Sequence, residues 1–160
     1  LVATAATAAS AASAVATAPA VRVRVVRESG APDRAVLVMH VEGRAVALGS
    51  YQGTMTFDPA VLRVDSAIAG RDGFRFVNAN QAGKGSIRFA GFTATGFKGT
   101  DAVRIVARLS GALEQSRIVA TLEVAGDIDG RRIPDAALQG TTGVESAVRP
   151  SASTPAGKRP

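Results

Sequence analysis

Gly49-Ser50-Tyr51-Gln52-Gly53-Thr54-Met55-Thr56-Phe57 decides how this chain is read. Tyr51, Met55 and Phe57 share one parity, and Ser50, Gln52, Thr54 and Thr56 share the other. That is the two-residue period of a strand with one face buried. The stretch runs into Asp58-Pro59-Ala60-Val61-Leu62-Arg63-Val64. Phe57 is the last inward residue and anchors the end of the sheet. Pro59 fixes φ and has no N–H to lose, while Asp58 accepts backbone bonds in the turn before Val61 and Leu62 resume a strand.

The same period recurs on both sides. Val21-Arg22-Val23-Arg24-Val25 alternates strictly, and Ala35–Glu42 is an apolar run ending at Gly43. Phe74-Arg75-Phe76-Val77, Ser86-Ile87-Arg88-Phe89, Ala102–Leu109 and Arg117–Val124 follow. Turn formers separate them: Ser29-Gly30, Asp72-Gly73, Ala82-Gly83-Lys84-Gly85 and Gly126-Asp127-Ile128-Asp129-Gly130. Short β-branched strands at regular spacing predict an all-β sandwich, with one helical turn at most, around Asp135–Leu138. No internal repeat of solenoid or propeller length is present.

Composition narrows the function. The 160 residues hold no Cys, no Trp, one Tyr and one His (His40), so disulfides, thiolate metal sites and His-rich centres are excluded. The formal charge is +6, but Arg149, Lys158 and Arg159 lie in a Pro/Ser-rich tail. Residues 21–148 carry 16 basic against 13 acidic side chains, which does not point to a dedicated nucleic-acid binder. The first 20 residues contain 11 Ala and no charge. They read as the remnant of a secretory signal peptide, with Ala16-Thr17-Ala18 and Ala18-Pro19-Ala20 as cleavage sites, or as a flexible linker. The expected organisation is therefore a leader or linker over 1–20, a sandwich over 21–148 and a flexible tail over 149–160. A secreted or extracellular location is expected, with cell-surface attachment as a variant.

The stretch from Gly49 to Val64 resembles the signature of cohesin domains, in which a strand enters an aromatic-Asp-Pro turn ahead of a Val-Leu pair. Gly70 with Phe74 and Phe76, Asn78-Ala79-Asn80, Gly83–Ala90 and Thr95-Gly96 match in order. The resemblance implies a nine-stranded jelly-roll sandwich, a fold shared with carbohydrate-binding modules. It implies a non-catalytic module whose outer sheet face docks a dockerin-bearing protein in extracellular polysaccharide degradation. Carried over, the contact strands supply Ser50, Gln52 and Thr54 on one side and Arg88, Ala90, Gly91 and Phe92 on the other. The family often has Asn and Asp where this chain has Ser50 and Gln52, and an acid where it has Gly91. The alternatives with the same fold are a carbohydrate-binding module and a cell-surface adhesion domain.

Other features have duller readings. His40 is a strand histidine. Asp127-Ile128-Asp129-Gly130 is similar to the start of a calcium loop but has Leu138 at the twelfth position, so a hairpin leading to Arg132-Ile133 is expected. No cofactor or metal is called for, although calcium on loop carbonyls is compatible with the sequence. Gly83-Lys84-Gly85-Ser86 precedes a strand where a phosphate loop requires a helix, and reads as a hairpin. Asp58, Asp65, Asp72 and Asp101 form no recognisable acid pair. Tyr51 is read as inward, leaving Phe92 and Phe97 as the aromatics available to an outer surface, with core or loop packing expected for both. Arg22, Arg24, Arg104 and Arg108 form a solvated exterior, to which Arg27 and Arg88 are assigned.

Overall fold

A computed structural model describes residues 18–147. The tail over 149–160 and all of the leader before Ala18 lie outside the described residues. Ala20 is already tied into the domain: its N–H donates to Ala137 O at 2.9 Å, and its carbonyl accepts from Arg44 N at 2.8 Å.

Among the described residues eleven strands form two sheets: β1 (Val21–Ser29), β2 (Arg34–Gly43), β3 (Leu48–Thr56), β4 (Leu62–Ala69), β5 (Phe74–Asn78), β6 (Ser86–Phe92), β7 (Asp101–Leu109), β8 (Val119–Asp127), β9 (Leu138–Gln139), β10 (Thr141–Thr142) and β11 (Glu145–Ser146). One sheet runs β11-β1-β2-β7-β4, with β9 also on β1; the other runs β10-β8-β3-β6-β5. Eight long strands correspond to the eight alternating runs of the sequence. A single ninth strand is replaced by three two-residue pieces. Pro134, Gly140 and Gly143, the last at φ +88°, break the C-terminal segment, so it pairs first with β1, then β8, then β1 again. That switching ties the two sheets together along one side.

The core lies between the sheets and follows the period of two. Val21, Val23 and Val25 of β1, Leu37, Met39 and Val41 of β2, and Ile105 and Ala107 of β7 face Tyr51, Met55, Ile87, Phe89 and Ala120 of the opposite sheet. Aliphatic side chains do most of the filling, as the low aromatic content requires. The two large rings in the centre need bare backbone opposite them. A Cβ on Gly53 would lie 2.5 Å from Phe89 Cζ, and one on Gly91 would lie 2.5 Å from Tyr51 Cζ.

The Phe57-Asp58-Pro59 turn closes as its residues dictate. Phe57 is buried and its N–H donates to Gly85 O at 2.9 Å. Asp58 Oδ1 accepts from Ala60 N at 2.9 Å, and the Asp58 carbonyl accepts from Leu62 N at 2.9 Å. The calcium-like segment is a turn held by its own first residue: Asp127 Oδ1 accepts from Asp129 N at 3.0 Å and Arg131 N at 2.8 Å. The expected hairpin follows, as a single bridge from Gly126 to Arg132 and an Ile133 N–H donated to Ala125 O. Between β5 and β6, Ala82–Lys84 form a 3-10 turn ended by Gly85 at φ +79°.

Candidate functional face

The outer surface of the five-stranded sheet carries the expected contact strands side by side. Register places Ser50 opposite Phe92, Gln52 opposite Ala90 and Thr54 opposite Arg88. All six side chains point away from the core, as their parity requires. Gly91 does not join them. It is buried and faces Tyr51, so the expected contact at this position is corrected: its parity puts it inside, where the tyrosine ring occupies the space a side chain would need.

The larger correction concerns β5. Phe74 and Phe76 were expected to turn inward, yet they are 71% and 53% exposed, and Phe92 is 61% exposed rather than packed in core or loop. Register puts Phe74 directly opposite Phe92, and Phe76 opposite Ala90. Phe74, Phe92 and Phe76 therefore form an apolar strip along the open edge of the sheet, with Ala90 beside them. Val124 of β8, opposite Gln52, is 42% exposed on the far side. Arg88 is a member of this face, as the contact-strand reading expects, whereas Arg22, Arg24, Arg104 and Arg108 lie on the other sheet.

The residue that inverts β5 is Arg75. Its side chain is fully buried, donating from Nε to Asp72 O at 2.7 Å, from Nη1 to Tyr51 OH at 2.7 Å and from Nη2 to Gly99 O at 2.6 Å. The guanidinium also lies 4.3 Å from the centre of the Phe97 ring, a favourable cation–π distance. An unpaired buried charge would be prohibitive, but this one has hydrogen-bond partners on every side and Asp72 Oδ2 at 3.6 Å. With Arg75 held inside, alternation forces Phe74 and Phe76 out. Phe97 packs against Tyr51 and Arg75 as loop packing, as expected. Burial pushes the Tyr51 phenol above its ordinary pKa, and Arg75 opposes that shift. Asp72 is held below the usual carboxylate range by the Gly99 N–H, donated to Oδ2 at 2.7 Å.

Beside the strip lies a polar cluster centred on Glu123, which the sequence reading did not single out. A register shift between Gln52 and Gly53 opposite β8 leaves both Glu123 and Val124 exposed. The Glu123 carboxylate accepts from the Thr54 hydroxyl, from Gln52 Nε2 at 3.1 Å and from Arg88 Nη2 at 3.4 Å. The Thr54 hydrogen bond foremost, then Gln52 and Arg88, holds it below the ordinary glutamate range. The face thus has an apolar aromatic edge and a preorganised anionic centre. Among the described residues no group of three or more His, Asp or Glu side chains is placed to hold a metal ion.

No protein-family model matches the sequence, and no curated protein does. Solved structures match in fold. CaCohA2 of Clostridium acetobutylicum, in complex with CaDoc0917, is 14% identical with a TM-score of 0.57, covering 79% of this chain and 99% of that one. A non-cellulosomal cohesin from the archaeon Archaeoglobus fulgidus is 16% identical with a TM-score of 0.53, covering 79% and 92%. A cohesin module from a Clostridium perfringens family 33 glycoside hydrolase is 15% identical with a TM-score of 0.53, covering 82% and 99%. The described residues have a cohesin-like fold.

Proposed function

We propose that this chain is a non-catalytic interaction module that docks a protein partner on the outer face of its five-stranded sheet. The observation that carries the reading is the cross-strand pair Phe74–Phe92, with Phe76 beside it, left in solvent by a buried arginine. Three exposed phenylalanines on one flat sheet are an unusual expense for a surface with no partner. Aromatic side chains within a rim of Arg88, Gln52, Ser50 and Thr54 have the composition of a protein interface: an apolar centre desolvated on binding, with hydrogen bonds around it. By analogy with CaCohA2 and CaDoc0917, the partner is a dockerin-bearing protein. The setting that fits is a secreted chain working in polysaccharide degradation. Among the described residues no helix is long and apolar enough to cross a membrane.

The exposed strip also favours a second reading, a carbohydrate-binding face, because sugar rings stack on aromatic platforms. Phenylalanine lacks the polar handle of tyrosine or tryptophan, and Glu123 is already committed to Thr54, Gln52 and Arg88. Protein docking is therefore the stronger reading. A pull-down with dockerin-bearing proteins, run beside retention on insoluble cellulose and xylan, separates the two. Capture of a dockerin-bearing protein supports docking; retention on polysaccharide without a protein partner replaces it with the second reading.

A further inference from the structure

The opposite face of the molecule, the outer surface of β1-β2-β7-β4, is divided into two ends of different charge. At one end the strand arginines have acids beside them. Arg24 pairs with Glu42 and Glu145, Arg22 pairs with Glu145 at 3.1 Å, and Asp101 lies 3.0 Å from His40. Further along, Arg104 pairs with Glu28 at 2.6 Å.

At the other end the pattern changes. Register sets Arg34 of β2 directly opposite Arg108 of β7, and Arg108 directly opposite Arg63 of β4. All three are exposed. Arg108 is bound by Asp65 through Nε at 3.0 Å and Nη2 at 2.8 Å. Arg34 and Arg63 have no ion-pair partner among the described residues. Arg27 adds a fourth guanidinium at this corner, its Nη2 donating to Arg34 O at 3.2 Å. The acids nearby are Asp65, bound to Arg108, Glu28 beside Arg27, bound to Arg104, and Asp33 in the preceding turn, which pairs with none of these arginines. Arg108 first, by hydrogen bond and charge, then the charges of Arg34 and Arg63 hold Asp65 below the usual carboxylate range.

Like charges directly opposite on neighbouring strands are destabilising, so a row of three arginines with one acid does not serve the fold. Next to it along the strands lies a parallel row in which Val36 stands opposite Val106, both half-buried, and Val106 opposite Ser66; the 61% exposed Ile68 is one row further, opposite Arg104. We propose that this corner is a second docking surface, specific for an acidic amphipathic helix laid across the strands. Neighbouring strands are about 4.8 Å apart, which sets the spacing of the arginines. Helix residues three and four apart are separated by about 5–6 Å, so a ridge of carboxylates follows the row, and an adjacent apolar ridge meets Val36 and Val106. An extended peptide repeats on one face every ~6.7 Å and drifts out of register. Nucleic acid finds no exposed aromatic here on which to stack a base. Arginine, not lysine, supplies the row, as bidentate carboxylate recognition requires. The surface is independent of the phenylalanine strip and lies on the other side of the sandwich.

The probe is a synthetic helix with glutamates every three to four residues beside a leucine stripe, titrated onto the intact chain. Controls are a scrambled peptide of equal charge and polygalacturonate. The expected result is binding that weakens steeply with salt, drops about tenfold in the Arg34→Gln/Arg63→Gln double variant, and is unaffected by Phe92→Ser. Both arginines are exposed, so the double variant keeps its thermal midpoint. Equal binding by the scrambled peptide, tighter binding of polygalacturonate, no binding of the helix, or indifference to the double variant would each overturn the proposal.

Discussion

The Arg75 guanidinium donates to the Tyr51 hydroxyl at 2.7 Å inside the sandwich, and this hydrogen bond links β5 to the core side of β3. Tyr51 sits on β3 and points inward, whereas its neighbours Ser50 and Gln52 point outward. Arg75 sits on β5 between two exposed phenylalanines. One buried pair therefore sets the facing of both strands.

Removing Arg75 will be costly. Arg75→Ala leaves the Tyr51 hydroxyl and two carbonyls without their donor and opens a void against Phe97. The expected loss is about 3 kcal/mol in urea denaturation. Phe74→Ser and Phe76→Ser, on the same strand but in solvent, are expected to change stability by no more than about 0.5 kcal/mol. Equal losses for all three would contradict the inverted facing of β5.

Gly91 is expected to resist any side chain. Gly91→Ala drives a methyl into the Tyr51 ring and should cost about 1–3 kcal/mol through overpacking. Ala90→Ser, one residue away on the outer face, should be close to neutral. The comparison of the two thermal midpoints checks which parity of β6 is buried.

Tyr51 is the only tyrosine and there is no tryptophan, so its ionisation can be followed by absorbance without interference. Its folded pKa is raised above the ordinary value near 10, chiefly by burial. The stability contributed by the neutral phenol is thus complete below that value and is lost as pH rises through the higher folded one. Phenolate absorbance in the native protein should appear only above the midpoint seen in denaturant. A native midpoint at or below it would remove the burial argument.

Glu123 works in the other direction. Its folded pKa is depressed, so the stability it adds is present above the ordinary glutamate value of about 4.3 and is lost as pH falls through the lower folded value. The difference in thermal midpoint between the native chain and Glu123→Gln should shrink as the solution is acidified through that window. A difference independent of pH would mean that the Thr54, Gln52 and Arg88 contacts do not stabilise the charged form.

The sheet architecture could be read from the chain because alternation is strict over Val21–Val26 of β1 and Gly49–Thr56 of β3, and burial follows it residue by residue there. The pairing partners β3 and β6 were legible for the same reason, and so was the outward direction of Ser50, Gln52, Thr54, Arg88, Ala90 and Phe92. β5 was not. The assumption that phenylalanines go inside and arginines outside fails where a guanidinium finds three hydrogen-bond partners and an aromatic ring, all supplied by segments distant in sequence. One signal was available: Asn78 shares parity with Phe74 and Phe76 and stands opposite the outward Arg88. Glu123 was hidden by the register shift in β8, which puts two consecutive residues in solvent and breaks the period of two. Gly91 shares the inward parity of Ile87 and Phe89, and only the family resemblance placed it among the contacts. The C-terminal pieces were missed because two-residue strands carry no period at all.

The most direct test of docking on the five-stranded sheet is the affinity of the intact chain for a captured dockerin-bearing protein, measured for the native sequence and for Phe74→Ser/Phe92→Ser. Loss of the central aromatic pair should weaken binding by about 2 kcal/mol or more, roughly thirtyfold, with the thermal midpoint unchanged. Unaltered affinity in a folded double variant would contradict the claim that this face holds the partner.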